Sequence, residues 1–450
     1  MEETFTSTVK TAIQEFYSDQ TIFITGGTGF VGKVLIEKLL RACYNLRAIY
    51  MLVRPKRGET SEKRMEEFFD NALFARLMVE RPDSINKLYM MQGDCELPNL
   101  GLSSSDRELL RLEVNCVFHV AATVRFNEKL QKATYVNVRA TRDLLRLAKQ
   151  MPKLKSFIHI STAYSFCVND IIREEVDTVS ITANDLIKLV ENTNEKQVIA
   201  VTPTITEPWP NTYTLTKAVA EKLIETEGGE LPIGIVRPSI VLATAKEPVS
   251  GWIDNFYGPT AVFLGVAMGI IRIVQCAGNC LVDSVPVDYL VNNVISAAWR
   301  VGATNDFNRE PGVPVFNYVC SPENPIKWSK LPTYDLLNIY KKMKENIHTL
   351  SYFTIRQWTF VNKNTQHLWT SLSNEDKSLF PFNMNSFTWD SYIYSYVYGT
   401  RLYLLKEKIE TLQQARRRLL RLKLVHYVVV TILLYLVYKI VTFVLNLIIA

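Results

Sequence analysis

The stretch Thr21-Ile-Phe-Ile-Thr25, followed at once by Gly26-Gly-Thr-Gly-Phe-Val-Gly32, constrains this chain more than any other part of it. A short β-branched run reads as a buried strand, and the apolar spacing of Val31–Cys43 reads as a helix. The glycines therefore occupy the turn between them, in the frame T-G-x-x-G-x-x-G. Each has a task. Gly26 permits a sharp turn, Gly29 lets backbone approach a pyrophosphate, and Gly32 lets the helix sit close to the sheet. The helix start then offers unpaired N–H groups and partial positive charge to phosphate oxygens. Thr25, Gly26, Thr28, Gly29, Phe30, Val31 and Gly32 form the expected dinucleotide-binding set.

The same alternation continues downstream. Strands are expected at Thr21–Thr25, Arg47–Val53, Leu88–Gly93, Cys116–Val120, Ser156–Ile160 and Ile233–Val236. Helices are expected at Val31–Cys43, Ser105–Leu112, Thr134–Gln150 and Tyr213–Glu227. Repeated strand–helix units predict an α/β fold, a doubly wound parallel Rossmann sheet covered on both faces. The polar stretch Ser165–Glu207, with an apolar run at Leu186–Val190, reads as an insertion beside the site. Residues 250–300 are apolar and glycine-rich, broken by Pro259 and Arg272, which suits a greasy pocket wall. From about Lys330 the pattern turns helical and aromatic-rich. The expected divisions are a lead-in (1–20), a nucleotide-binding domain with substrate elements (21–329), a smaller helical C-terminal domain (330–423) and a hydrophobic tail (424–450).

The end of the second strand separates two cofactor types. An acid there would hold a ribose 2′-hydroxyl, whereas arginine accepts a 2′-phosphate. The sequence is YMLVRPKRG, with Arg54, Lys56 and Arg57 and no acid before Glu59. NADPH is the expected cofactor, with Arg54, first after the strand, its principal contact.

Tyr213-Thr-Leu-Thr-Lys217 opens a helix after the proline-rich PTITEPWPNT. Four residues are about one turn, so phenol and ammonium share a face. A phenol near pKa 10 is a poor acid–base catalyst at neutral pH. A neighbouring ammonium is expected to lower that value and let the tyrosine give a proton to a carbonyl oxygen.

With these pieces in place the chain resembles an extended short-chain dehydrogenase/reductase, and more closely the fatty acyl-CoA reductase family of animals. The matching segments are TGGTGFVGK, HVAATVRF, ATYVNVRATRDLL, HISTAYSFC, YTLTK, VRPSIV, GWIDNFYGPTAVFLGVAMG and VDSVPVDYLVN, spanning about Thr21–Asn293. The resemblance implies a catalytic set of Thr162, Tyr213 and Lys217, with Ser161 in place of Thr162 if the strand register differs by one. It also implies cofactor contacts from Asp94, from Ala121 and Ala122, and from Pro238 and Ser239. His119 reads as a buried strand residue, Cys276 and Cys280 as packing residues, and Asp288 as the cap of the helix that follows. The implied reaction is reduction of a long-chain acyl-CoA to a primary alcohol in two hydride steps. The run Phe256–Ile273 and the C-terminal domain are the expected acyl tunnel. A membrane-bound enzyme for steroid or sterol alcohols, and a catalytically silent lipid-binding scaffold, would use the same fold.

Charge and composition narrow the partners. The net charge is +6. Residues 401–424 carry eight basic and two acidic side chains, which is all of that excess. A spread basic surface for nucleic acid is thereby excluded. The basic stretch precedes the apolar run Leu424–Ala450, which as one helix would reach roughly 40 Å, against about 30 Å of bilayer hydrocarbon. Membrane attachment through this tail is expected, with its basic N-terminal side and the catalytic part in the cytosol. An ER or peroxisomal membrane is the expected location. Lys439 is the one cation in mid-run, costing about 3 kcal/mol on insertion scales unless it snorkels. The polar, acidic MEETFTSTVK start is not expected to act as a signal peptide. Seven scattered cysteines without a C-x-x-C pair, and five histidines without H-x-x-x-H spacing, predict no disulfide framework or metal centre.

Overall fold

A computed structural model describes residues 10–55, 61–267, 276–303, 312–330, 347–407 and 411–449. Seven parallel strands form the main sheet: β1 (Thr21–Thr25), β2 (Ala48–Val53), β3 (Leu88–Gln92), β4 (Cys116–His119), β5 (Ser156–Ile160), β6 (Ile233–Pro238) and β7 (Val315–Tyr318). Their order is β3-β2-β1-β4-β5-β6-β7. All six expected strands are present, and β7 joins them; its four residues are too short a run to stand out in sequence.

Side-chain alternation along each strand divides the apolar residues between two cores. Ile22 and Ile24 face one cluster, together with Leu35 and Leu39 of the helix Phe30–Ala42 and Leu290 and Val294 of the helix Val287–Ala303. Phe23, Val117 and Phe157 face the other, with Leu144 and Leu145, and with Leu215 and Val219 of the helix Thr212–Glu227. Every residue of β1 is buried, as a strand covered on both faces requires. The direction of winding reverses between β1 and β4. In sheets of this kind the crevice beyond the strand ends at that reversal is where a ligand fits.

The helix expected at Thr134–Gln150 runs over residues 130–148 and contains a π-helical segment, Thr134–Arg139. The stretch read as an insertion is two capped helices, Ala183–Asn192 and Glu195–Thr206, packed on the second core through Leu186, Ile187, Val190 and Val198.

The C-terminal helices are not laid on the outside. Leu368, Leu372, Phe380, Phe382 and Met384 belong to the same core as Ile22 and Leu39. Tyr318 donates to the Phe382 carbonyl at 2.9 Å and Asn292 to the Pro381 carbonyl at 2.8 Å. Lys38 on the helix Phe30–Ala42 bonds the Leu379 carbonyl at 2.6 Å and Glu247 at 2.7 Å. Arg41 joins Glu37 and Glu247 in the same buried network. Burial opposes ionisation of Glu247, but Lys38 and Arg41 outweigh it and hold the carboxyl down at about 2.

Asp288 does not cap its own helix. That helix starts at Val287, directly after the strand Ser284–Pro286, so Asp288 already lies inside the first turn. Its buried carboxylate instead accepts the backbone N–H groups of Ala245, Lys246 and Glu247 at 2.8, 2.9 and 3.0 Å. Burial raises its pKa to about 6 against those three donors.

The helix Thr411–Ile449 closes the chain. Its segment Leu420–Thr442, of mean hydropathy 2.1, is long and apolar enough to cross a membrane, and none of it is buried. The segment begins four residues before the apolar run read from sequence and so takes in Arg421 and Lys423. Lys439 lies over the ring of Tyr435, 5.6 Å from its centroid.

Candidate active site

A cavity of about 720 Å³ opens beyond the C-terminal ends of β1, β4, β5 and β6. Its floor is the glycine turn. Gly26 adopts φ +74°, and a Cβ there would stand 2.7 Å from the Ala121 nitrogen. On Gly32 a Cβ would lie 2.2 Å from the Gly26 carbonyl oxygen. Close backbone approach is thus built in at the reversal point, and any side chain would fill the cradle. Gly29 is the N-cap of the helix Phe30–Ala42 and brings no side-chain bond to it, so the N–H groups of the first turn face the cavity. Strand, cradle and helix start together fit the pyrophosphate of a dinucleotide.

Thr28, Phe30 and Val31 line the cavity beside these glycines, as do Asp94, Ala121, Ala122, Pro238 and Ser239. Thr25 does not. It is fully buried, its hydroxyl bonded to His119 Nδ1 at 2.7 Å and accepting the Ala121 N–H at 3.3 Å. A strand residue facing inward holds the neighbouring loop rather than a ligand. His119 is the buried strand residue expected; burial first, then the charge of Lys217, lowers its pKa to about 3. Arg54 is exposed at the cavity edge, its Nε 3.6 Å from the Asp94 carboxylate. Lys56 and Arg57 lie outside the described residues.

The reactive end is assembled from three elements. Asn211 caps the helix Thr212–Glu227 by accepting the Thr214 N–H at 2.9 Å, which sets Tyr213 in the first turn. The Tyr213 phenol and Thr162 both line the cavity, and the tyrosine ring stacks on Phe126 at 5.9 Å. Lys217 Nζ, one turn on, donates to the Ile160 carbonyl at 2.7 Å. Ser161 points the other way, donating to Glu221, which also accepts Arg237 Nε at 3.0 Å. Successive residues leaving the strand face opposite sides, and Thr162 is the one that meets the phenol.

The expected lowering of the phenol is not found. Burial pushes Tyr213 up to about 12, with the nearby Thr162 hydroxyl opposing the rise. Burial brings Lys217 down to about 8, with Glu221 pulling it back up. Desolvation therefore outweighs attraction at both groups.

Sequence reasoning missed Asn137. It sits in the π-helical turn, accepts the Thr123 N–H at 3.0 Å and donates to Thr216 Oγ1 at 3.0 Å. It thereby ties the loop after β4 to the tyrosine helix. A π-turn has no distinctive composition, and the only signal was a polar residue on an otherwise apolar helix face. The far wall was also only partly foreseen. Tyr257, Val262 and Phe263 come from the expected run, of which residues 268–273 lie outside the described ones. Trp328 and Phe353 come from the C-terminal side, and Phe353 lies 5.3 Å from Phe126. Cys276 lines the cavity instead of merely packing, and burial raises its thiol to about 12. Among the described residues no cluster of side chains could hold a metal ion.

Comparison with known proteins gives the family and the fold. Two family profiles described as "Male sterility protein" match residues 24–294 and 328–407. The chain is 36% identical to fatty acyl-CoA reductase 1 of Xenopus laevis, covering 95% of this chain and 93% of that one. It is 37% identical to fatty acyl-CoA reductase 1 of Mus musculus at the same coverage. Among solved structures, the terminal R domain of the myxalamid PKS-NRPS pathway aligns with a TM-score of 0.59 at 22% identity, over 85% of this chain and 91% of that one. The reductase domain of a non-ribosomal peptide synthetase from Mycobacterium tuberculosis aligns with a TM-score of 0.56 at 18% identity, over 87% and 95%. These two share the fold.

Proposed function

The chain belongs to the fatty acyl-CoA reductase family, and from that premise we propose that it reduces long-chain acyl-CoA to a primary fatty alcohol through a bound aldehyde. The observation that carries the reading is that Thr162, Tyr213 and, one turn on, Lys217 line one cavity where a nucleotide cradle meets an apolar wall. Relatives alike over nearly the whole length favour this over a steroid dehydrogenase or a silent scaffold.

The nicotinamide cofactor would lie along Gly26, Gly29 and Gly32, with Ala121, Ala122, Pro238 and Ser239 against it; each reduced molecule bound there would supply one hydride, so two are used in succession. We take NADPH as that cofactor, with Arg54 receiving the 2′-phosphate in place of its weak pairing to Asp94. The hydroxyls of Thr162 and Tyr213 donate to the carbonyl oxygen of the thioester and hold the negative charge that develops there. Tyr213 delivers the proton to that oxygen. Collapse of the thiohemiacetal then breaks the C–S bond, expels CoA and leaves an aldehyde. The same two hydroxyls serve the aldehyde oxygen in the second step. The ammonium of Lys217, one turn from Tyr213, would hold the cofactor ribose. Wall residues such as Phe263 and Phe353 keep water from the aldehyde and receive the hydrocarbon.

Anchoring through Leu420–Thr442, with the basic side and catalytic part in the cytosol, is part of the same proposal; so is an ER or peroxisomal membrane. Substrate and product partition into lipid at roughly 0.8 kcal/mol per methylene, so a tether shortens their path.

The test is gas chromatography of alcohols from yeast expressing the chain or its Tyr213→Phe variant. Alcohol from the parent and a fall of about 10²–10⁴-fold in the variant, with NADPH binding retained, are expected. An equal yield from both would remove the phenol from the mechanism.

A further inference from the structure

We infer that Arg125 is the anchor for a phosphate of the CoA head group, holding the thioester at Tyr213 from the solvent side. The inference deepens the activity proposed above and rests on it. Of the other cavity-lining cations, Arg54 and Lys217 are assigned above to the cofactor's 2′-phosphate and ribose, and Lys132 pairs with Glu96 at 3.3 Å. Arg125 also lines the cavity, is exposed, and forms no ion pair among the described residues. The nearest acid in sequence, Glu128, is bonded by the Thr123 hydroxyl at 3.2 Å and the Lys129 N–H at 3.3 Å.

Its position fits the task. The loop carrying it begins against Gly26 at Ala121 and ends where the Glu128 carbonyl accepts the Thr212 hydroxyl at 2.9 Å, beside the tyrosine. The Glu128 N–H closes a turn on the Arg125 carbonyl at 3.3 Å, and Phe126 enters that turn to stack on Tyr213. Consecutive residues thus divide the substrate. Phe126 faces the reacting end, and Arg125 stands at the wet rim next to it. An acyl-CoA bound for reduction has its sulfur near Tyr213 and its chain against the apolar wall. Its phosphates cannot follow into an apolar enclosure without a large desolvation cost. They must leave by a solvated rim, and a guanidinium with free donors is the side chain that meets phosphate there with paired hydrogen bonds.

The test uses the full-length protein in detergent and three substrates with one acyl chain: palmitoyl-CoA, S-palmitoyl-N-acetylcysteamine and hexadecanal. The last two lack the CoA phosphates, and all three draw on the same cofactor. For Arg125→Ala, KM for palmitoyl-CoA should rise about 10-fold or more, while constants for the other two change by less than about twofold. Arg125→Lys should recover part of the loss, and added salt should narrow the gap between wild type and Arg125→Ala. A similar loss on all three substrates would overturn the inference and place Arg125 in cofactor binding or folding, which the melting temperature distinguishes. Unchanged kinetics on palmitoyl-CoA would overturn it as well. If the wild type reduces none of the three, the proposed activity itself fails and this assignment falls with it.

Discussion

The two ends of the cavity are built by opposite means. The pyrophosphate cradle at the nucleotide end is backbone from one continuous segment, Gly26–Gly32, braced by Ala121. The acyl end is made of side chains drawn from Val124, Phe126, residues 257–263, Cys276, Trp328 and Phe353. A pyrophosphate has one shape and two charges, so it is met by fixed N–H groups at a fixed distance. A hydrocarbon asks only for apolar area without water, and that area can come from any part of the chain. The contrast predicts that single changes are severe at the first end and graded at the second.

The severest should be Gly32→Val. Its side chain would have to occupy space where even a Cβ lies 2.2 Å from the Gly26 carbonyl. A loss of NADPH affinity of more than about 100-fold is expected by fluorescence titration, since the colliding atoms are backbone and cannot swing aside. Retained affinity would break the comparison at its firmest point. Next is Arg54→Glu, which would remove the proposed 2′-phosphate contact and add repulsion. It should move the NADPH-to-NADH ratio of kcat/KM by about 10- to 100-fold toward NADH.

The pH profile probes the seam between the two ends. Lys217 is protonated below about 8, so kcat should fall as pH rises through that value. Because Glu221 pulls that pKa upward, Glu221→Gln should move this limb to lower pH; a limb that stays in place would detach it from Lys217. The mildest change is Phe263→Ala. Many wall atoms share the contact with the chain, so kcat/KM for palmitoyl-CoA should drop by less than about fivefold, with longer chains favoured. A loss as large as that of Gly32→Val would mean that the acyl end is as singular as the nucleotide end.

What the sequence made legible follows the same division. The parallel sheet was readable because β1 and its neighbours are short β-branched runs between helical spacings. The cradle was readable because glycine in a fixed frame has few other uses. Thr162 and Tyr213 were readable as a pair, and both line the cavity while Ser161 is bonded to Glu221. The sign of the phenol shift was not. It depends on how dry the pocket is, and burial is a property of the whole fold. Asn137 was hidden because a π-turn is a hydrogen-bond register rather than a composition. Thr25 and Asp288 were misplaced for one common reason. Both sit at element boundaries, where a shift of one residue turns a side chain from ligand or cap toward the interior.

The threading of residues 376–384 through the first core has a practical corollary for anyone preparing a water-soluble version of this enzyme. Truncation should fall between Leu405 and Thr411, after the helices whose Phe380 and Phe382 fill the space behind the sheet. A cut made earlier, at the start of the C-terminal region, would strip Lys38 of the Leu379 carbonyl and open a wide hole against the helix that begins at the glycine turn. The portion of the chain that looks like an accessory appendage is thus a wedge under the nucleotide-binding half, and a secretion- or crystallisation-minded deletion must leave it whole.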